Sequence, residues 1–408
     1  MPAAEDYSLA TALTEAAKNA PGPAIAEARL AQSRALQAQA RALLMPTVAL
    51  NGGLTSSWTS QPPYGGRSSD GFDGEAAVTL RLFDGTAFPA IAAARTRYAA
   101  QEHASRGLRR DTAFNVANAY LTVLTAERLL NVANRRLEVA NQLLDEAKAR
   151  LKAGLAIASD VTRAEVEVAD GQLSVTQATR AIAVGRFALQ AAVGGRQPGT
   201  LDPPQVAVPE DRSVEQLLVQ AREHRDDLAA SRLTSQANSS QVEIIRRSNW
   251  PVLGARAGVT DGDSNSAVYT HPDPTWYAGL TATWTLWDGG LRSGRVSEQE
   301  AFGRELDANA RLALLTAEQE VRSAVVDIQA ASTAVSQAEV LSRSAAADAA
   351  DALARYRAGT TTATDLADAQ LRSAQADADL EQRRIAVLVS RLVLRRAIGS
   401  WPLTDAEQ

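Results

Sequence analysis

The sequence predicts an α plus transmembrane β chain, built as two tandem repeats that each carry two β-strands and unusually long helices. Three observations predict it. One pattern recurs at an offset of about 205 residues; two stretches in each copy alternate apolar and polar residues beside tryptophans; and each copy holds a helical stretch of about 67 residues with no interior break.

The repeat comes first, because missing it would misassign every later element. Ser8, Leu13, Ala16 and Pro46 recur as Ser213, Leu218, Ala221 and Pro251, each pair 205 positions apart. Ala149-Arg150-Leu151-Lys152-Ala153-Gly154 recurs at the same offset as Ala354-Arg355-Tyr356-Arg357-Ala358-Gly359, as do Asp160 with Asp365 and Gly194 with Gly399. Asp84-Gly85 and Asp288-Gly289 stand 204 apart, so the copies differ by one residue in a loop. Residues 1–194 form the first repeat, 195–212 a Pro-rich linker, 213–399 the second repeat and 400–408 a tail.

Within each copy the order is the same. A short helix starts at a Ser cap, Ser8 or Ser213, the latter with Gln216 completing a capping box, and a second helix stops before Pro46 or Pro251. Strands follow at about 46–60 and 74–84, and again at about 251–261 and 275–287. The second copy shows the period of two most cleanly, with Trp276, Ala278, Leu280, Ala282, Trp284 and Leu286 alternating with Tyr277, Gly279, Thr281, Thr283 and Thr285. The strand pairs are joined by polar turn formers, Ser60-Gln61-Pro62-Pro63-Tyr64-Gly65-Gly66 and Asp261-Gly262-Asp263-Ser264-Asn265.

Long helices are then expected at about 87–153 and 291–357, with Pro89 tolerated in the first turn. At 1.5 Å per residue each spans roughly 100 Å, against a globular mean of about 11 to 12 residues, so each needs partners. A glycine turn at Gly154 or Gly359 reverses the chain into return helices at about 159–193 and 364–398. Aromatic content is only 5% of 408 residues, which suits long helices packed through alanine better than a large aromatic-rich core.

Five of the six tryptophans, Trp58, Trp250, Trp276, Trp284 and Trp287, fall in or beside the strands. Aromatic girdles at the two water–lipid boundaries, with apolar residues outward and polar ones inward, mark a transmembrane β-barrel, and Trp58, Trp276, Trp284 and Trp287 are the expected girdle. Four strands cannot close a barrel, and an open edge in lipid leaves backbone groups unpaired at several kcal/mol each. Other copies of the chain must complete the sheet, and two, three or four subunits all satisfy this argument.

Other classes are disfavoured. A formal charge of -5 with no basic cluster argues against nucleic acid. The absence of cysteine removes disulfides, thiolate metal sites, thiol nucleophiles and a lipidated N-terminal cysteine in the chain as given. His103, His224 and His271 are scattered, and no catalytic triad order, phosphate loop or metal-ligand spacing is visible, so no enzyme, cofactor or metal is expected. No run of about 18 apolar residues predicts a transmembrane helix. Met1-Pro2-Ala3-Ala4-Glu5-Asp6 lacks the features of a signal peptide and reads as an initiator set before a mature sequence. A soluble coiled-coil spacer is the alternative, but it does not explain the strands and their tryptophans.

The repeated element order, together with Leu43-Leu44-Met45-Pro46 before a strand, Phe83-Asp84-Gly85 and Trp287-Asp288-Gly289 at strand-to-helix junctions and the two Ala-Gly turns, resembles the TolC or outer-membrane-factor family over residues 6–400. The resemblance implies a homotrimer whose 12-stranded β-barrel in outer-membrane lipid continues into a periplasmic α-helical barrel. An equatorial belt would form from the linker and termini. A periplasmic adaptor would join the duct to an inner-membrane transporter.

At the hairpin tips, Ser159 and Thr364 are the expected caps, and Asp160 and Asp365 suit the positive end of a helix dipole. Asp160 has Arg163 three residues on, whereas Asp365 has Asp368, so in a trimer the second tip would present a ring of carboxylates. The resemblance assigns Asp365, Asp368 and Tyr356 as gate residues, with Asp160 beside them. It also places an arginine where this chain has Thr361, so Arg357 is the expected substitute latch. Gly154, Leu155, Gly359 and Thr360 are the expected adaptor contacts.

Overall fold

A computed structural model describes residues 6–60, 66–195, 199–208, 212–264 and 274–403. Expectations placed on residues 1–5, on the hairpin loop at 61–65, on Asn265 and His271, on linker residues 196–198 and 209–211 and on tail residues 404–408 lie outside the described residues. Along the chain the elements are β1 (Asp6–Tyr7), α1 (Leu9–Asn19), α2 (Pro21–Ala42), β2 (Thr47–Ser60), β3 (Gly66–Phe83), α3 (Ala87–Lys152) and α4 (Ala158–Val193). They continue as β4 (Thr200–Leu201), α5 (Val214–His224), α6 (Asp226–Arg247), β5 (Val252–Ser264), β6 (Thr275–Thr283), α7 (Leu291–Arg357) and α8 (Ala363–Ala397).

The chain divides into two compact units: Met1–Glu27, Ala104–Leu228 and Leu312–Gln408 form one, and Ala28–His103 and Ala229–Arg311 the other. In the first unit each repeat builds the same core. Ala12 and Ala16 of α1 pack with Val116 of α3 and with Leu189 and Val193 of α4. Their counterparts Leu217 and Ala221 of α5 pack with Val321 of α7 and with Leu394 and Ile398 at the end of α8. Small side chains recur at the crossings, so the low aromatic content does not starve these cores.

Caps mark the ends of these helices. Ser8 Oγ accepts from Thr11 N–H at 3.2 Å, and Ser213 and Gln216 bond reciprocally at 3.0 and 3.4 Å. Gly399 ends α8 in the left-handed region at φ 77°, where a Cβ would stand 2.7 Å from the backbone of His224; Gly194 does the same for α4 at φ 104°. A short parallel pair, β1 with β4, joins the start of the chain to the linker. Its strands are two residues long and carry no periodicity for a sequence reading to find. It is pinned by the buried Tyr120 hydroxyl, which lies 2.7 Å from the Tyr7 carbonyl and accepts from Asp202 N–H at 2.9 Å.

The second unit holds a four-stranded antiparallel sheet in the order β2-β3-β5-β6. Two strand ends differ from the sequence expectation. β3 begins at Gly66 rather than near residue 74, because Gly66–Asp73 pairs in unbroken register with Gly53–Ser60. That segment is rich in Gly, Ser and Asp, and ladder hydrogen bonding overrides its poor strand propensity. β6 ends at Thr283 rather than 287, because its last partner is Val252 and the residue before that, Pro251, has no N–H to offer. β5 extends three residues past its expected end, to Ser264.

Candidate functional site

Two surfaces carry the functional chemistry, one in each unit. In the sheet unit, register places Val48, Leu50, Leu54 and Trp58 of β2 on one face with Phe72, Ala76 and Val78 of β3, Ala255, Ala257 and Val259 of β5, and Trp276 and Leu280 of β6. This face is bare: Leu50 is 85% exposed, Leu54 88% and Leu280 78%. Burying a large apolar side chain is worth about 1.5–3 kcal/mol, so a row of this size left in water is a heavy penalty. Trp58 and Trp276 stand exposed on the same face. Trp284 and Trp287 are exposed too, but they follow the end of β6 and are not strand residues, which corrects the expected strand girdle. Trp250 is packed instead, stacked on Phe83 at 6.3 Å and lying under the Arg247 guanidinium.

The opposite face is polar. Glu75 accepts from Asn51 Nδ2 at 3.2 Å and Arg256 Nη2 at 2.6 Å and also from the Tyr277 hydroxyl, tying β2, β3, β5 and β6 together. At each strand-to-helix junction the Asp-Gly motif starts a long helix. Asp84 accepts from Thr86 N–H at 2.9 Å, from the Thr86 hydroxyl at 2.6 Å and from Arg81 at 3.0 Å, while Asp288 accepts from the N–H groups of Gly290 and Arg292. Burial pushes the Asp84 carboxyl up, and the bonds from Thr86 and Arg81 outweigh it, so the group sits below its ordinary value.

In the helical unit, the α3–α4 and α7–α8 hairpins end in matching turns. Gly154 and Gly359 share φ 74°, and the N–H groups of Leu155 and Thr360 bond to the Arg150 and Arg355 carbonyls at 2.9 and 3.0 Å. Leu155 is 75% exposed, and the Thr360 hydroxyl donates to the Arg355 carbonyl at 3.1 Å. The helix starts correct the expected caps: α4 begins at Ala158 with Ile157 at the cap position, and α8 at Ala363 with Thr362 there, rather than Ser159 and Thr364. The aspartate sets this register, since a carboxylate at the third helical position reaches back to the cap N–H. Asp160 accepts from Ile157 N–H at 3.3 Å. Asp365 accepts from the Thr362 hydroxyl at 2.7 Å, the Thr361 hydroxyl at 2.9 Å and Thr362 N–H at 3.2 Å, and these bonds, the Thr362 hydroxyl first, hold its carboxyl below the ordinary range.

The four expected gate residues fall on two surfaces. Asp160 and Tyr356 line one cavity of about 130 Å³ between the hairpins, together with Arg163, Leu143 and Leu366, and Tyr356 is buried there. Asp365 and Asp368 do not line it; both are exposed, one turn apart on α8.

Beside the cavity, Arg150 of α3 donates to the carbonyls of Tyr356 and Arg357 at 2.9 and 2.6 Å, and its guanidinium lies 4.8 Å from the Tyr356 ring centroid. A cation thereby satisfies the last carbonyls of α7 at the negative end of its dipole. Arg357 returns the contact, bonding Glu146 at 3.0 Å. The expected substitute latch is therefore occupied within its own chain. Glu146 and Arg150 were not singled out by sequence, where only the repeated Ala-Arg-x-x-Ala-Gly motif marked the neighbourhood.

Comparison with known proteins agrees with both surfaces. The chain is 27% identical over 339 residues to protein CyaE of Bordetella pertussis, covering 80% of this chain and 70% of CyaE. It is 23% identical over 379 residues to the outer membrane protein TolC of Vibrio cholerae, covering 90% of this chain and 84% of TolC. The crystal structure of the outer membrane protein VceC of Vibrio cholerae superposes with a TM-score of 0.80 at 22% identity, covering 96% of each chain. The sequence profile of outer membrane efflux proteins matches residues 12–195 and again 217–400, and on that double match the chain belongs to the outer membrane efflux protein family, whose members are outer-membrane channels and not enzymes.

Proposed function

We propose that the protein is the outer-membrane exit duct of a tripartite efflux pump or type I secretion system, a passive homotrimeric channel gated at its periplasmic hairpin tips. The observation that carries this reading is the sheet. Among the described residues β2 and β6 each have one strand neighbour, and the face they share is apolar and exposed. Edges of this kind are tolerated in lipid only if another copy pairs with them, and three copies give a closed barrel of 12 strands. The polar face, with the Glu75 and Arg256 cluster, then lines a water-filled lumen.

Gating follows from the second tip. Asp365 and Asp368 would present six carboxylates around the axis of a trimer, an entrance that favours cations and repels anions. A periplasmic adaptor engaging Gly154, Leu155, Gly359 and Thr360, with an inner-membrane transporter behind it, would draw the tips apart. Cargo is then chosen by the transporter.

Extraction and native mass measurement test the reading. The protein should need detergent and run as a heat-sensitive trimer. A monomer that stays soluble without detergent would instead identify a coiled-coil spacer.

A further inference from the structure

The joint between the two hairpins of one chain uses Glu146 and Arg150 from the first and Tyr356 and Arg357 from the second. The 205-residue repeat gives every one of these a counterpart on the other hairpin. Glu146 and Arg150 correspond to Asp351 and Arg355, and Tyr356 and Arg357 correspond to Leu151 and Lys152. The chain thus carries one complete joint and, on the outer flanks of the same hairpins, the two halves of a second.

Neither half is satisfied at home. Asp351 and Arg355 pair with each other one helical turn apart, at 55% and 64% side-chain exposure. Leu151 and Lys152 are exposed, and Lys152 has no ion-pair partner among the described residues. Two complementary half-sites on opposite flanks of one chain make a head-to-tail contact, the kind that closes a ring of copies.

We infer that Asp351 and Arg355 of one subunit meet Lys152 and the Leu151 and Lys152 carbonyls of the next, forming the inter-subunit joint of the hairpin ring. The inference rests on the oligomeric duct proposed above. Apolar exposure supports it: Val340 and Leu341, the counterparts of the cavity-lining Arg135 and Arg136, are 53% and 61% exposed and would be covered by the neighbour.

The second joint is the weaker copy. Leu151 has no ring for Arg355 to lie over, Asp351 is one methylene shorter than Glu146, and a lysine ammonium replaces the guanidinium fork. The charge beside it differs too. Within the chain, Arg135, Arg136 and Arg163 balance Asp160, Glu167 and Asp377 around the cavity. The repeat-related groove between subunits sets Arg372 alone against Asp348, Asp365, Asp368 and Glu165. The tip therefore opens by parting subunits, while the two hairpins of each subunit stay together.

The natural sequence has no cysteine, so pairs can be introduced cleanly. Asp351→Cys with Lys152→Cys, treated as full-length protein with a short bismaleimide, should give covalent dimers and trimers on a denaturing gel. Glu146→Cys with Arg357→Cys should cross-link within the monomer and give no ladder. A native trimer without a ladder from the first pair would overturn the joint and leave the duct intact; a native monomer would overturn both. Charge exchange keeps the test open if the cysteine variants do not assemble. Asp351→Lys alone should raise single-channel conductance roughly twofold, within the reach of one exposed ion pair, and adding Lys152→Asp should return it toward the parent. Identical conductance in the parent, the single variant and the exchange also overturns the joint.

Discussion

The two hairpin tips share a backbone and differ in chemistry. Both turn at a glycine of φ 74° and close with the same amide-to-carbonyl bonds, yet the first offers Leu155, Ile157 and Arg163 where the second offers Thr360, Thr362 and Asp368. The first aspartate makes one backbone bond and faces the interhelical cavity; the second is held by three bonds on an exposed surface. A duplicated element keeps its turn because φ and hydrogen bonding demand it. Its exposed side chains are free to diverge, and here they split one role into two: packing between hairpins at the first tip, negative charge at the second.

The largest effect expected from this difference is on conduction. Replacing Asp365 and Asp368 together by Ala should raise single-channel conductance in planar bilayers several-fold and weaken block by multivalent cations. Asp160→Ala should leave both nearly unchanged. Equal responses from the two tips would erase the distinction.

A second effect separates the complete joint from its counterpart. Arg150→Ala removes two charge-assisted hydrogen bonds and a cation–π contact, and should cost about 1.5–3 kcal/mol, read as a lower thermal midpoint. Arg355→Ala removes an exposed pair within its own chain and should cost about 0–1 kcal/mol. Similar losses would mean that the joints are of equal strength.

Much of this was legible in the residues, and the parts that were not have physical reasons. The repeat, the long helices and the alternating strands write themselves at periods of 205, 3.6 and 2. The first eight residues of β3 do not, because Gly66–Asp73 is extended by its partner strand and not by its own propensity. Nor does the end of β6, which depends on where the neighbouring strand can still donate. At the tips the turn glycines and both aspartates were readable, but the caps were misplaced by two residues: hydroxyl groups at Ser159 and Thr364 advertise a cap, while the aspartate bonding that fixes it is a matter of geometry. Arg150 was invisible as a joint because its acceptors lie 206 and 207 residues away.

A smaller effect follows from the caps. Thr362→Ala removes the hydroxyl that accepts from Asp365 N–H at 3.2 Å and should cost about 1 kcal/mol. Ile157 already has the extended backbone of a cap residue, φ -105° and ψ 160°, without a side chain able to accept. Ile157→Ser should therefore stabilise the start of α4, by up to about 1 kcal/mol. Slower amide exchange in that turn would show it, and no change would mean that the cap position is already satisfied by Asp160.

The smallest effect is a dependence on acid confined to the second tip. The Asp365 carboxyl is held below its ordinary value of 3.8 by the Thr362 and Thr361 hydroxyls and by Thr362 N–H. A depressed folded value means that the ionised form is favoured in the folded state, so this stabilisation is complete above the unfolded value and fades as pH falls through the folded one. Protection of the Thr362 amide, corrected for intrinsic exchange, should hold down to about pH 4 and decline below it. In Asp365→Asn the decline should vanish, because the amide side chain does not titrate and still offers an oxygen to the same N–H. If the variant declines as the parent does, another group controls the turn, and the charge at the second tip is not coupled to its folding.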